Sequence, residues 1–203
     1  LNTKIESIES QNAGFTINGE SYDRVVLTTG GMYRMKDMGD SDYIYRLPQS
    51  LEHSITDQIS PSLCPLIFLD KPLRAFAGIS FVGRLTDTTN KKSVIDDLLI
   101  THFGISGPAA LDFSSFAGEK IELSFVTSVT EKEFIHQFNE SRNGKNSIRQ
   151  FLKEFIPKRL VDYHLDRAEI DQDFMADVPK AKLQNLVKSL YHYPIPPRQK
   201  NVY

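Results

Sequence analysis

The residue best placed to do chemistry in this chain is His102, which follows the apolar, β-type run Leu98–Thr101 and precedes Gly104. Histidine can donate or accept a proton near neutral pH, which suits general acid–base catalysis. A side chain beside a glycine at the end of a strand is often presented to a site. We therefore take His102 as the candidate catalytic residue. The alternative is that its ring hydrogen-bonds a nearby carbonyl and holds the turn.

The residues after His102 predict the start of a helix. Pro108 fits the first helical turn, where its missing N–H leaves no bond unmade. Ser106 can cap that turn with its hydroxyl, and Gly104 and Gly107 allow backbone conformations closed to other residues. Since capping already explains Ser106, and the chain has no G-x-S-x-G, the sequence does not indicate a serine nucleophile.

Metal and thiol chemistry are not indicated. The sequence has no C-x-x-C or H-E-x-x-H, and the remaining histidines lack partners at metal-ligand spacing. The one cysteine, Cys64, has apolar neighbours that predict a small core residue. A single cysteine excludes an internal disulfide and fits a reducing compartment, so we expect a cytoplasmic protein. The histidines in question are His53, His136, His164 and His192.

Residues 1–31 predict a β-meander. Asn18-Gly19 is a strong hairpin signal between strands, and the apolar run Val25–Leu27 predicts a strand buried on both faces. Apolar spacing over 42–53 predicts a helix that Pro48 kinks or splits.

The rest of the chain changes from strand to helix periodicity. Short strands predicted between residues 65 and 127 favour a small barrel or sandwich. From Thr130, which opens a capping box with Glu133, helical stripes and N-terminal prolines favour a compact bundle. The predicted fold class is α+β, with a β-meander and a helix over 1–60, a β-barrel-like part over 61–128, a helical part over 129–192 and an extended exit linker over 193–203.

Four stretches in the same order resemble the BaiN/YhiN-like family of NAD(P)/FAD-dependent flavoproteins. The block T-H-F-G-I-S-G-P at 101–108 is the most specific of them. Val25–Gly31 (V-V-L-T-T-G-G) resembles the family's V-I-L-A-T-G-G strand, and Glu52–Leu66 and Ala77–Ser80 resemble two further segments. The C-terminal helices fit the family's small helical subdomain.

The resemblance implies a region inserted into an FAD-binding fold, facing the substrate, in an oxidoreductase that NAD(P)H reduces. It implies a partial FAD-binding domain over 1–60 and a flavin-side role for Thr29, Gly30 and Gly31 only. We take His102, Phe103 and Ser106 as candidate substrate-side residues. The chain has no G-x-G-x-x-G, the motif that sets a dinucleotide pyrophosphate on a helix N-terminus. We therefore expect an internal piece of the parent, inactive alone, that packs against the remainder of the flavin-binding domain.

One loop departs from the family pattern. The family has a G-S-T-G-D-G-Y loop after its double glycine, whereas this chain reads M-G-D-S-D-Y over Met38–Tyr43. The loop's chemistry toward the flavin is therefore in question.

Composition leaves a second class of function open. The chain has 203 residues, a formal net charge of -2, and 40% hydrophobic and 25% charged residues, values ordinary for a globular protein. Its charge gives no general attraction to nucleic acid or an anionic membrane. The C-terminal region is nevertheless basic and aromatic, as RNA-binding segments are, so a non-catalytic module that docks RNA or a partner protein is the alternative. The residues concerned are Lys180, Lys182, Lys188, Tyr191, Tyr193, Arg198 and Lys200.

Overall fold

The computed structural model describes residues 5–28, 43–55, 62–68, 71–142 and 144–196. The chain divides into two compact units, Leu1–Ile59 and Ser60–Val202. Both helices and antiparallel strands are present, which confirms the α+β class. Within the described ranges, no helix combines the length and the apolar character needed to cross a membrane.

The first unit contains the predicted hairpin. Its three strands pair antiparallel in the order β1-β2-β3. Asn18 and Gly19 both have positive φ, 48° and 89°, as a tight two-residue hairpin turn requires. The helix with Pro48 inside it is also present. The elements are β1 (Ile8–Gln11), β2 (Gly14–Ile17), β3 (Glu20–Tyr22) and α1 (Tyr43–Ser50).

The prediction of a buried strand around Val25–Leu27 is wrong for the residues that the structure describes. Residues 24–28 form no strand, and Val26 and Leu27 are 79% and 38% exposed. An apolar run is buried as a strand only when neighbours pair with both edges and cover both faces. Among the described residues of this unit, no strand pairs with this run.

The second unit is built on a six-stranded antiparallel sheet that curls into a half-barrel, with strand order β4-β7-β6-β5-β8-β9. Four of these strands match, within a few residues, the strands that apolar runs predict at 66–69, 78–85, 93–100 and 120–126. Residues 193–195 of the expected linker are extended and pair with β8 as an edge strand. The strands are β4 (Leu66–Ile67), β5 (Ser80–Asp87), β6 (Ser93–Thr101), β7 (Gly104–Ser106), β8 (Ile121–Ser124) and β9 (Tyr193–Ile195).

Helices accompany this sheet in the described part of the second unit. The predicted capping box is present, because the Thr130 hydroxyl accepts from the Glu133 amide and the Glu133 carboxylate accepts from the Thr130 amide. The helical segments are α2 (Lys71–Arg74), α3 (Pro108–Ser114), α4 (Glu131–Glu140), α5 (Ile148–Leu152), α6 (Lys158–Arg167), a 3₁₀ turn (Met175–Asp177) and α7 (Lys180–Tyr191).

One hydrophobic core joins the sheet and the helices. Buried and more exposed residues alternate along β5 and along the second half of β6, and Leu85 and Leu98 are fully buried. Helix α3 covers the buried face of these strands with Phe113. The same buried cluster continues into the helices through Phe134 and Phe138. The barrel-like and helical parts expected from the sequence therefore fold around a shared core.

Candidate functional site

The His102 region is the tip of a tight hairpin between β6 and β7. The Thr101 hydroxyl donates to the Gly104 carbonyl (3.0 Å) and accepts from the Phe103 amide (3.4 Å). The Phe103 carbonyl accepts from the Phe68 amide (3.1 Å), which ties the tip to the strand at the sheet edge. Thr101 and the backbone therefore hold this turn.

His102 itself is exposed at the tip. Its ring lies edge-on to the half-buried Phe103 ring, with 4.8 Å between centroids. Within the described part of the chain, no hydrogen bond involves the His102 imidazole nitrogens. The carbonyl-bonded, turn-holding role considered for His102 is thus filled by Thr101.

Two glycines let the hairpin pack against its neighbours. Gly104 has a φ of 151°, and a Cβ there would lie 2.0 Å from the Leu66 carbonyl oxygen of β4. Gly107 has a φ of 97°, and a Cβ there would lie 2.7 Å from the Asp97 carbonyl oxygen of β6. No other residue type fits either position without a backbone shift.

Ser106 does not cap helix α3, so this expectation is wrong. Gly107 is the N-cap residue, without a side-chain hydrogen bond, and Pro108 is at the first helical position as predicted. Ser106 instead pairs with Leu99 in the β6–β7 ladder, which keeps it one residue too early to cap. Residues directly opposite in a ladder share a face, so Ser106 lies on the outer face with the 37%-exposed Leu99.

The described residues do not fit FAD by themselves. Helix α3 begins behind a glycine, but Gly107 packs against the backbone of β6 and the first helical residue, Pro108, has no N–H to donate to a phosphate. The N-cap residues of helices α4 to α7 are Thr130, Ser147, Pro157 and Pro179, and none of these helices follows a glycine-rich loop. Thr29, Gly30, Gly31 and the loop at 38–42 lie outside the described residues.

Two histidines to which the sequence assigns no role have defined surroundings. His164 is fully buried, with its Nδ1 2.8 Å from the Ser189 hydroxyl, and burial with the nearby Arg167 charge lowers the pKa of His164 to about 3. His192 bridges Glu122 on β8 (2.9 Å) and Glu131 on α4 (3.0 Å). The Glu122 hydrogen bond is the main cause of a raised pKa for His192. Neither environment leaves a trace in sequence spacing.

The fold gives the basic and aromatic residues of the C-terminal region different surroundings. Lys182 donates to Asp171 (2.9 Å), whereas Lys180 and Lys188 line a groove between α4 and α7. Tyr193 is buried and Tyr191 is half-buried, so neither ring is free to stack on a base. Arg198 and Lys200 lie outside the described residues. Within the described residues, no group of three or more His, Cys, Asp or Glu side chains could hold a metal ion.

Comparison with known proteins identifies the family to which this architecture corresponds. Residues 60–203 match the family model described as HI0933-like protein barrel and H2TH domain. Two curated relatives carry the name ribosomal RNA dihydrouridine synthase. The relative from Haemophilus influenzae (strain ATCC 51907 / DSM 11121 / KW20 / Rd) is 28% identical over 177 residues, 85% of this chain and 43% of its own length. The relative from Escherichia coli (strain K12) is 27% identical over 209 residues, 97% of this chain and 50% of its own length.

The chain spans about half the length of the curated relatives it matches. The family model covers most of the sequence, including the whole half-barrel and all the described helices of the second unit. This chain therefore belongs to the flavoprotein-related HI0933-like family and carries its barrel and H2TH domain.

Proposed function

We propose that the chain forms the substrate-side part of a larger FAD-dependent oxidoreductase that reduces a uracil base in ribosomal RNA. The family membership supports the flavoprotein assignment, and the name shared by two relatives supports the substrate. In this proposal the remainder of the flavin-binding domain is the chain's main partner, NAD(P)H is the reductant, and the protein is cytoplasmic. Thr29, Gly30 and Gly31 remain the candidates for contacts on the flavin side.

The exposed His102 at the hairpin tip is the observation that carries this proposal. Within the T-H-F-G-I-S-G-P block, Thr101 fixes the turn, the glycines permit close packing, and Pro108 starts a helix. His102 serves none of these purposes, and its imidazole faces solvent at a point that rigid strands hold in place. A reactive side chain on a rigid support is the arrangement that catalysis needs.

The chemistry of uracil reduction determines the proton-transfer role that we propose for His102. Reduction of the C5–C6 double bond of uracil adds a hydride to one carbon and a proton to the other. The flavin supplies the hydride when it is bound by the rest of the parent protein. A protonated His102 imidazole donates its N–H proton to the second carbon and is reprotonated from solvent. The adjacent Phe103 ring offers an apolar surface for a planar base, and Ser106, on the outer sheet face, is the second substrate-side candidate.

Substitution of His102 tests this role directly. In the whole protein, His102→Gln should lower the rate of uridine reduction by about 10²–10⁴-fold, the range for loss of a general acid, and leave flavin absorbance unchanged. His136→Gln is the matched control, because His136 is also an exposed histidine, on α4 beside Glu140. The measurement is dihydrouridine formed in ribosomal RNA. Equal rates for the two variants would remove His102 from the mechanism.

A visible absorption spectrum tests the cofactor independently. The whole protein, purified without added flavin, should show bands near ~370 and ~450 nm, and this chain alone should be colourless. A colourless whole protein that also fails to take up added FAD would overturn the oxidoreductase proposal.

A further inference from the structure

We propose that the groove between α4 and α7 binds the phosphodiester backbone of RNA. The inference deepens the proposed function, since it assigns a second contact for the RNA substrate away from the His102 hairpin. It rests on the shape, the charges and the hydrogen-bond donors of that groove.

The groove is an open cavity of about 320 Å³ in the helical part of the second unit. Its floor is apolar, with Ile135 contributed by α4 and Leu183 and Val187 contributed by α7. Lys180 and Lys188 line the same cavity from the α7 side. They are eight residues apart on one helix, so about 12 Å separates them along its axis.

The charges in the groove favour an anion. Lys180 and Lys188 form no ion pair with any described residue, whereas Lys182 on the same helix is paired with Asp171. Arg142 adds a third cation, anchored by its hydrogen bonds to the Met175 and Val178 carbonyls. Among the described residues that line the groove, Glu131 is the one carboxylate, and it already accepts a hydrogen bond from His192.

The donor chemistry points to phosphate rather than to bases. Most protein contacts that position nucleic acids go from Lys, Arg, Asn and Gln side chains to phosphate oxygens, and the lining offers Asn139 and Gln184 besides its cations. Sequence-tolerant recognition of single strands by stacking needs exposed aromatic rings, and Tyr193 is buried. The groove should therefore bind RNA in a way that depends on salt and not on sequence.

The test measures binding of a fluorescein-labelled single-stranded RNA oligonucleotide to the full chain by fluorescence anisotropy over a range of salt concentrations. Lys180→Gln/Lys188→Gln should weaken binding by about tenfold or more at low salt. It should reduce the slope of log K against log salt by about 1.4, since each single-strand phosphate contact contributes about 0.7. Gln retains the helix propensity of Lys, so circular dichroism should show unchanged folding.

The matched control is Lys158→Gln/Lys182→Gln, which removes the same net charge from positions that do not line the groove. This control should bind within about twofold of the unsubstituted chain, with the same salt slope. Equal weakening in both double variants, or absence of measurable RNA binding by the unsubstituted chain, would overturn the proposal. Equally tight binding of polyaspartate would assign the groove to acidic polypeptides instead and would also overturn it.

Failure of this inference is distinguishable from failure of the proposed function. His102→Gln should leave RNA affinity unchanged while lowering the reaction rate. In the whole protein, the groove variant should raise KM for RNA and leave kcat unchanged, as expected for loss of binding that substrate and transition state share.

Discussion

At the hairpin tip, the position of each residue type follows from local sterics. Gly104 and Gly107 are required because strands β4 and β6 pass too close for a Cβ. Thr101 is required because its hydroxyl both donates and accepts across the turn. These constraints fix the turn without involving the His102 imidazole. Because the ring has no part in holding the turn, we assign it a functional role.

Gly107 combines a close approach with a backbone conformation, φ 97° and ψ 168°, that is essentially confined to glycine. Gly78 has nearly the same φ, 92° against 97°, but a Cβ at Gly78 meets nothing within 4 Å. Gly78→Ala should cost about 1–2 kcal/mol for the left-handed backbone alone. Gly107→Ala should cost more, because the alanine Cβ would also clash with the Asp97 carbonyl. Urea unfolding of the two variants gives the comparison, and equal losses would show that β6 relaxes freely.

His164 predicts a pH dependence of stability. Its folded-state pKa is about 3, against an ordinary value of 6.5, because burial disfavours the charged form. Between these pH values the unfolded chain binds a proton at this imidazole and the folded chain does not. The contribution of His164 to the free energy of unfolding therefore falls as the pH falls from 6.5 toward 3, by up to about 1.4 kcal/mol per pH unit.

Comparison of the native protein with His164→Gln isolates this contribution, since the difference between their stability-versus-pH slopes removes the other titrating groups. NMR titration of the native protein gives a second measurement that does not depend on the variant folding. The His164 ring should remain neutral at pH 4.5. A ring that titrates near 6.5 would contradict the prediction.

At the scale of elements, two helix N-termini with a hydroxyl residue at the N-cap differ in the structure. The Thr130 side chain accepts from the Glu133 amide, whereas Ser147 makes no side-chain capping hydrogen bond. Thr130→Ala should therefore cost about 1 kcal/mol, and Ser147→Ala less than about 0.5 kcal/mol. Thermal unfolding of both variants checks this, and a larger loss at Ser147 would refute the assignment.

His192 links three elements, because its ring bridges Glu122 on β8 and Glu131 on α4 directly after the end of α7. Its pKa is raised by these carboxylates. Its contribution to stability is fully present below the ordinary value of 6.5 and is lost as the pH rises through the raised folded-state value. The Tm difference between the native protein and His192→Gln should thus be larger at pH 6 than at pH 9.

His136→Gln is the control for this measurement, since the pair of His136 with Glu140 is longer, 3.5 Å, and highly exposed. Its Tm should differ little from that of the native protein at either pH. A His192→Gln difference that does not change with pH would mean that the bridge does not depend on a protonated imidazole.

The sequence predicts elements that depend on neighbouring residues. It fails for elements whose structure depends on pairing with residues distant in the sequence. The Asn18-Gly19 turn and the Thr130 capping box depend on neighbouring residues only, and both are present. Strand β7 has only three residues, in a segment whose sequence favours a turn and a helix cap, so the prediction for Ser106 is wrong. Val25–Leu27 has strand propensity, but propensity does not supply the pairing strands that burial requires.

For the whole molecule, the half-barrel could be anticipated but its closure could not. The four strands β4, β5, β6 and β8 are visible as apolar runs, whereas β9 depends on a return of the chain to β8 after all the helices. That return places Tyr193 in the core, with its hydroxyl 2.7 Å from that of Tyr163 on α6. The groove between α4 and α7 likewise arises only when two helices distant in sequence pack together.

The core predicts how the chain divides under denaturation. The main buried cluster runs from Leu66 to Ile195 and contains no residue of the first unit, and the family match begins at residue 60. Since burial of apolar surface is the main source of a fold's stability, residues 60–203 alone should unfold cooperatively with a Tm within about 2 °C of the corresponding transition in the full chain. Calorimetry of both proteins measures this. A large drop in Tm or a loss of cooperativity on removing residues 1–59 would show that the first unit stabilises the second, because the second unit's own core would then be insufficient to hold its fold.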